Sequence, residues 1–188
     1  MKLLIASDLH GSVSATEKVI EAFKKEGADY LLLLGDLLYH GPRNPLPAEY
    51  HPATVIEKLN AIKDKIIAVR GNCDSEVDQK MLAFPITADA QTFPLKGRKF
   101  FCTHGHLYDP TPDLTETPDH LVEGDIFAFG HVHLPILTVN PKGILVLNPG
   151  SVTIPREGHP PTYAVMDDHQ IEIKTFDGDV YLEKRATL

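Results

Sequence analysis

The most informative stretch of the sequence, residues 3–10, reads LLIASDLH. It is a short apolar run that ends in a carboxylate and an imidazole. Short apolar runs bounded by polar residues are typical of strands buried on both faces of a sheet. The pattern predicts buried strands whose ends carry polar side chains. Similar runs follow at residues 30–34, 66–69, 100–103 and 126–129.

Helical patterns separate the first three runs. Ser14-Ala15-Thr16-Glu17 predicts a capping box at a helix start, and Gly27 predicts the end of that helix. Further helices are predicted over 52–63, with Pro52 at the first position, and over 75–82. After the third helix the pattern indicates mostly strands, so we expect an α/β fold with two stacked sheets. These later strands are predicted at 136–139, 144–147, 163–166, 171–176 and 180–182.

Composition limits the classes of function. The chain has 188 residues, with 18 Lys plus Arg against 26 Asp plus Glu, and a formal charge of −8. This charge disfavours broad contact with nucleic acid or an anionic membrane. No apolar run approaches the roughly 20 residues of a membrane-spanning helix. At this length we expect one domain over residues 1–188. The two cysteines, Cys73 and Cys102, form no disulfide framework, which favours a reducing compartment, so we expect the cytoplasm.

Side chains that can bind metal follow all five apolar runs. Because ligands of open α/β sheets bind at the carboxyl ends of strands, we expect these side chains to meet at one edge. Each motif alone also fits an ordinary turn, but residues 131 and 133, both histidine, face the same way in an extended segment. The candidate ligands are Asp8, His10, Asp36, Asn72, His104, His131 and His133.

Such a ligand set exceeds the capacity of one ion with four to six ligands, so it indicates two ions that share a carboxylate. Asp36 follows a central strand and is the best bridging candidate. Imidazole, carboxylate and amide oxygen without thiolate suit Mn²⁺, Fe²⁺, Co²⁺, Ni²⁺ or Zn²⁺. With two carboxylates and a bridging hydroxide, the local charge is about +1 and attracts an anion. The site therefore predicts phosphoester hydrolysis.

These motifs resemble the calcineurin-like metallophosphoesterase superfamily, whose D-x-H, G-D, G-N-H-D/E, later His and G-H-x-H motifs appear here in order. Segments 34–36, 40–44, 69–78, 103–106 and 148–151 resemble more narrowly the small phosphodiesterases of the YfcE type. The resemblance implies a four-layer α/β/β/α sandwich of two mixed sheets, the metallo-dependent phosphatase fold. It also places residues 148–151 near the metals.

The resemblance further implies two divalent ions, with Mn²⁺ expected first and Fe²⁺, Zn²⁺, Ni²⁺ or Co²⁺ as alternatives. The expected partner is a small phosphodiester, with no nucleic acid or membrane, and family members commonly form homo-dimers or homo-tetramers. The first ion would be held by Asp8, His10 and His133, the second by Asn72, His104 and His131, with Asp36 bridging.

Cys73 departs from the superfamily pattern, which carries a histidine there that can protonate the leaving group; the YfcE type shares the cysteine. A thiol with a pKa of about 8.5 is a poorer general acid than imidazole near neutrality. We therefore expect better turnover of activated diesters, with water, Asp74 or His106 as substitutes for the acid. The candidate catalytic residues are Asn72, Cys73, Asp74 and His106, although Cys73 also fits a packing role.

Two further features concern the substrate. Arg43 and His106 are candidates for phosphate contact, although Arg43 also fits a solvated loop position and His106 a residue that orients a ligand. The acidic segment 108–123 fits either a lid or a surface loop. The leading hypothesis is a metal-dependent phosphodiesterase. The alternatives are a phosphomonoesterase on the same centre, a binding scaffold such as the retromer subunit with this fold, and, disfavoured by the charge, a nuclease.

Overall fold

The computed structural model describes residues 1–95, 97–108, 110 and 113–185. These described residues contain three α-helices and eleven strands. Strands and helices alternate up to α3 and only strands follow, and a 3-10 turn at Lys63–Lys65 precedes the third strand. The elements are β1 (Leu3–Ala6), α1 (Val13–Glu26), β2 (Tyr30–Leu33), α2 (Pro52–Asn60), β3 (Ile66–Ala68), α3 (Glu76–Met81), β4 (Ala90–Leu95), β5 (Arg98–Thr103), β6 (Ile126–Ala128), β7 (Pro135–Val139), β8 (Leu145–Pro149), β9 (Thr162–Met166), β10 (Gln170–Thr175) and β11 (Val180–Arg185).

The strands form two mixed sheets, which confirms the predicted α/β class and its two sheets. The first has the order β11-β10-β9-β1-β2-β3, and the second has the order β4-β5-β6-β8-β7. In the first sheet β1, β2 and β3 are parallel, and β9 pairs antiparallel with β1. In the second sheet β5, β6 and β8 are parallel, with β4 and β7 antiparallel at the edges. The chain therefore holds two sets of parallel strands.

Side-chain alternation along the strands creates two apolar layers around the first sheet. Ile5 and Leu32 pack with residues of the second sheet such as Phe100. Leu4 and Leu31 point the other way and pack with helix residues of α1 and α2. Because successive side chains of a strand face opposite sides, one apolar run supplies both layers. The sheets are thus fixed against each other, which aligns their strand ends.

The outer face of the second sheet is covered by a loop. Phe101, Phe127 and Phe129 pack there against Leu121, and Leu114 adds partly buried contact. The described residues between 104 and 125 form no helix. The prolines at 110 and 118 lack the backbone N–H that a helix interior needs. The family resemblance implied a helical layer on this side of the second sheet. In the described part of the chain, a loop occupies that position, and the described residues of segment 108–123 are part of this loop.

Three details differ from the sequence-based predictions. Helix α1 begins after Ser12, whose Oγ accepts the Ala15 N–H at 3.3 Å, so the capping box predicted at 14–17 was wrong. Helix α2 ends at Asn60, three residues before the predicted end. Strand β4 was not predicted because it contains Pro94, which is tolerated here because β4 lies at an edge.

No described helix is long and apolar enough to cross a membrane.

Truncation of Leu32 tests the layer between the sheets. Leu32 is fully buried, so Leu32→Ala should lower the free energy of unfolding by about 3 kcal/mol through lost burial and an unfilled cavity. Leu46→Ala is the control because Leu46 is 64% exposed, and it should change stability by less than about 0.5 kcal/mol. Urea denaturation measures both, and equal effects would contradict this packing.

Candidate metal centre

The predicted ligands follow the carboxyl ends of parallel strands in both sheets. Asp8 and His10 follow β1, Asp36 follows β2, and Asn72 follows β3. In the second sheet His104 follows β5, while residues 131 and 133 follow β6. Because the two sheets are stacked, their strand ends open onto one region. The structure brings the predicted ligands together there.

Asp8, His10 and His133 form the first group. His133 Nε2 lies 3.1 Å and His10 Nε2 lies 3.5 Å from Asp8 Oδ1. The two imidazole Nε2 atoms are 3.4 Å apart. Asp8 Oδ2 accepts the backbone N–H of His131 at 3.2 Å, which ties β1 to the loop after β6. Three ligand atoms thus surround one small volume.

Asp36 lies between this group and a second one. Its Oδ2 is 3.9 Å from His10 Nε2 and 3.4 Å from His104 Nε2. His104 Nε2 is in turn 3.1 Å from Asn72 Oδ1, and the His131 ring is 5.1 Å from the His104 ring between centroids. Asp36 Oδ1 accepts the backbone N–H of residue 73 at 2.8 Å, so Oδ2 is held toward both groups. One carboxylate oxygen therefore lies between the two groups of candidate ligands.

Backbone carbonyls orient three of the imidazoles. Nδ1 donates to a carbonyl oxygen in His10, His104 and His133, at 2.9, 2.6 and 2.9 Å respectively. Because a carbonyl only accepts, Nδ1 carries the hydrogen and Nε2 of the neutral ring presents a lone pair to the centre. Metal-binding histidines are commonly fixed in this way. The buried Asp8 Oδ1 also accepts no well-directed hydrogen bond from the described residues. The donor set fits divalent cations.

The backbone is strained at the ligands. Positive φ angles occur at Asp8 (63°), His10 (47°), Asp36 (55°), His131 (66°) and His133 (62°). Residues other than glycine seldom adopt this left-handed region, and such strain concentrates at functional sites. Of the eight described non-glycine residues with positive φ, five are predicted ligands, so the strain is concentrated at the candidate centre.

Two glycines allow the strand ends to approach closely. A Cβ on Gly71 would collide with the carboxylate and backbone nitrogen of Asp36, and a Cβ on Gly130 would collide with the Ser7 hydroxyl. Both glycines follow strands that deliver ligands. A side chain at either position would push a ligand loop away from the centre.

Asp74 holds the Asp36 loop in place. Its Oδ2 accepts the N–H groups of Asp36 at 2.8 Å and Gly71 at 2.7 Å, and its Oδ1 accepts the N–H of Leu37 at 2.8 Å. Burial and the charge of Asp36 raise the pKa of Asp74, against these three hydrogen bonds. Because both oxygens are occupied by backbone donors, we assign Asp74 a positioning role in place of the catalytic role predicted from the sequence.

Two arginines line a small cavity together with several candidate ligands. A cavity of about 50 Å³ is lined by Asp36, Cys73 and the ligands at 72, 131 and 133, together with Arg43 and Arg156. Arg43 was predicted from the sequence, but Arg156 was missed. Arg156 is held by its backbone N–H, which donates to the carbonyl of His133 at 3.2 Å. Arg156 follows Pro155 in a loop, just as Arg43 follows Pro42, so the same sequence pattern could have identified it as a candidate for phosphate contact.

The segment 148–151 lies beside the loops that carry the candidate ligands, as the family resemblance implied. Asn148 Nδ2 donates to the Gly130 carbonyl at 2.7 Å, and Ser151 Oγ donates to the Asp8 carbonyl at 3.3 Å. The Asn148 bond joins the ends of β8 and β6 within the second sheet, and the Ser151 bond connects the loop after β8 to the loop after β1 in the first sheet.

A family model described as the calcineurin-like phosphoesterase superfamily domain matches residues 1–170. The chain belongs to this superfamily. It is 49% identical over 173 residues to the phosphodiesterase YfcE of Escherichia coli strain K12, a match that covers 92% of this chain and 91% of the relative. It is 29% identical to the probable metallophosphoesterase YsnB of Bacillus subtilis strain 168, covering 88% and 83%. The solved structure of YfcE, a phosphoesterase from E. coli, matches with a TM-score of 0.93 and 46% identity over 100% of both chains.

In this calcineurin-like phosphoesterase, Cys73 and His106 lie beside the ligands. Cys73 lines the 50 Å³ cavity, and burial and the nearby Asp36 raise the pKa of its thiol far above its usual range. The His106 ring centroid is 5.5 Å from that of His104, and burial and the charge of His104 lower the pKa of His106. His106 does not line the cavity that contains Arg43.

Replacing Asp74 tests its positioning role in this phosphoesterase. Asp74→Asn should weaken Mn²⁺ binding by about tenfold to a hundredfold, because an amide cannot accept all three backbone N–H bonds that place Asp36. Glu76→Gln is the control, since Glu76 is exposed two residues further on. Isothermal titration calorimetry of both variants measures the affinities, and an unchanged affinity of Asp74→Asn would contradict the role.

The pH dependence of metal binding follows from His104. Burial alone would lower the pKa of His104, but the hydrogen bond to Asp36 and the charges of Asp8 and Asp36 raise it to about 9. A metal ion must displace that proton, so apparent affinity should increase as the pH rises from 7 toward 9. Calorimetry in buffers of different ionisation enthalpy should show proton release on Mn²⁺ binding. Binding without proton release at pH 7 would contradict the expectation.

Proposed function

We propose that the chain is a metal-dependent phosphodiesterase that hydrolyses a small phosphodiester at a dinuclear centre. The observation that carries the proposal is Asp36 Oδ2, which lies 3.9 Å from His10 Nε2 on one side and 3.4 Å from His104 Nε2 on the other. The identity to the phosphodiesterase YfcE supports the same reaction class. The ligands would be Asp8, His10 and His133 for one ion, Asn72, His104 and His131 for the other, and Asp36 for both.

When bound, two divalent ions lower the pKa of a shared water and stabilise charge on phosphate oxygens. The protein's own part is to hold seven side chains rigidly and to bind the phosphate. Arg43 and Arg156 line the cavity over the ligands, so we propose that their guanidinium groups bind the outer phosphate oxygens. Their two positive charges oppose the formal −8 of the chain and favour an anionic substrate at this position.

Leaving-group chemistry favours diesters with good leaving groups. The Cys73 thiol occupies the cavity wall, and its raised pKa makes it a weak proton donor near neutrality. Both carboxylate oxygens of Asp74 accept hydrogen bonds from backbone N–H groups, which disfavours Asp74 as the proton donor. Asn72 and His106 therefore remain our candidates for polar contact with the departing oxygen. A phosphomonoesterase is the second candidate, and the weak acid at position 73 disfavours it for alkyl monoesters.

We propose Mn²⁺ as the ion, with Fe²⁺, Zn²⁺, Ni²⁺ and Co²⁺ as alternatives of similar ligand preference. We propose a single catalytic domain over 1–188, in a homo-dimer or homo-tetramer. Two free cysteines, Cys73 and Cys102, support a reducing, cytoplasmic location. A binding scaffold is disfavoured because the chain retains the full set of candidate ligands.

Substitution of the bridging carboxylate tests the reaction. Metal-stripped protein titrated with Mn²⁺ should release p-nitrophenol from bis(p-nitrophenyl) phosphate faster than from p-nitrophenyl phosphate. Asp36→Asn should lower kcat/KM for the diester by at least about a thousandfold, because both ions lose a charged ligand. Asp64→Asn, in the turn before β3, is the matched control and should retain activity. Diester turnover that needs no metal, or that survives in Asp36→Asn, would contradict the proposal.

A further inference from the structure

A second cavity adjoins the metal centre and shares one wall with it. It has a volume of about 410 Å³ and is lined on its apolar side by Leu38, Tyr39, Tyr50, Pro52 and Val77. Cys73 lines both this cavity and the smaller one over the ligands. We call it the Tyr39–Tyr50 groove. Its size falls in the range of cavities that bind small organic groups, about 300–1,000 Å³.

Both tyrosines contact the segment that follows β1 and carries His10. The carbonyl of Tyr39 accepts the Nδ1–H of His10 at 2.9 Å. The Tyr50 ring lies against Gly11, where an added Cβ would come within 2.5 Å of it. The ring of His40 packs edge-on against both tyrosines, with centroids 4.9 and 5.2 Å away. The groove walls are therefore built on the segments that place the metal ligands.

Apolar surface remains open in the groove. Tyr39 is 42% exposed and Val77 is 66% exposed. Both side chains line the same groove beside the candidate metal centre, and exposed apolar surface at such a place is typical of a ligand-binding surface. The groove therefore offers both an aromatic wall and an aliphatic contact.

The two cavities differ in the charge of the side chains that line them. The smaller cavity contains Arg43 and Arg156, which attract an anion. Among the described residues that line the groove, the charged side chain is Asp78, whose carboxylate accepts the Ser75 N–H at 2.8 Å. An acidic residue repels an anionic group, whereas aromatic walls favour stacking with a neutral ring. The phosphate and a neutral aromatic group would thus lie on opposite sides of Cys73.

We propose that the Tyr39–Tyr50 groove binds a neutral aromatic ester group of the substrate, so that the enzyme prefers aryl or heteroaryl phosphodiesters. The proposal rests on the proposed function, because the centre must hold the phosphate beside Cys73. It makes Tyr39 and Val77 specificity-determining residues. It also agrees with the weak acid at position 73, because aromatic alcohols leave without strong protonation.

Two phosphonates that differ in one group test the groove. Isothermal titration calorimetry of the Mn²⁺-loaded protein compares phenylphosphonate with methylphosphonate, and phenylphosphonate should bind about tenfold more tightly because its ring is buried in the groove. Val77→Asn and Tyr39→Ala should each reduce this ratio to about one to two. Val122→Asn, at a residue that is 60% exposed on the loop over the second sheet, is the matched control and should keep the ratio.

The outcomes distinguish the two proposals. Equal affinity for both phosphonates in the unmodified protein, or a ratio that neither Val77→Asn nor Tyr39→Ala changes, would overturn the groove assignment even if bis(p-nitrophenyl) phosphate is hydrolysed. Binding of neither phosphonate would contradict both the metal centre and the groove. A ratio lost in the two groove variants and kept in Val122→Asn supports the assignment without any measurement of turnover.

Discussion

Asp8 and Asp36 are buried carboxylates whose ligand atoms lie within 4.8 Å of each other and of His104. Two negative charges at this separation repel each other, and burial removes the water that would screen them. Such an arrangement needs a compensating positive charge, which either protonated imidazoles or bound cations can supply. The raised pKa of His104, at about 9, reflects the same demand. The rest of the structure can be understood as the frame that keeps these carboxylates together.

That frame spans both sheets. Asp8 and Asp36 come from neighbouring parallel strands of the first sheet, and the hydrophobic layer around Leu32 and Phe100 holds the second sheet against it. Hydrogen bonds then position the individual loops. The Asp74 carboxylate, for example, holds the Asp36 loop by accepting three backbone N–H groups. Five candidate ligands adopt left-handed backbone conformations, and this local strain accompanies the convergence of the strand ends on one small volume. Packing energy in the layers offsets that strain.

Much of this arrangement could be predicted from the sequence, because each ligand directly follows an apolar run. The predicted runs at 3–6 and 30–34 correspond to β1 and, to within one residue, to β2, and the parallel order brings their ends together. What could not be predicted depends on tertiary context. Pro94 obscured an edge strand, Ser12 caps a helix for which Ser14 was predicted, and Arg156 reaches the site from a distant loop. The function of Asp74 is visible only when the turns that surround it are folded.

Anomalous diffraction tests whether two metal ions share Asp36, as we propose. Crystals grown with Mn²⁺ and measured at the manganese absorption edge should show two peaks about 3.5 to 4 Å apart. One peak should lie against Asp8 and His133 and the other against Asn72 and His104, with Asp36 in contact with both. A single peak, or a pair of peaks of which one does not touch Asp36, would contradict the account.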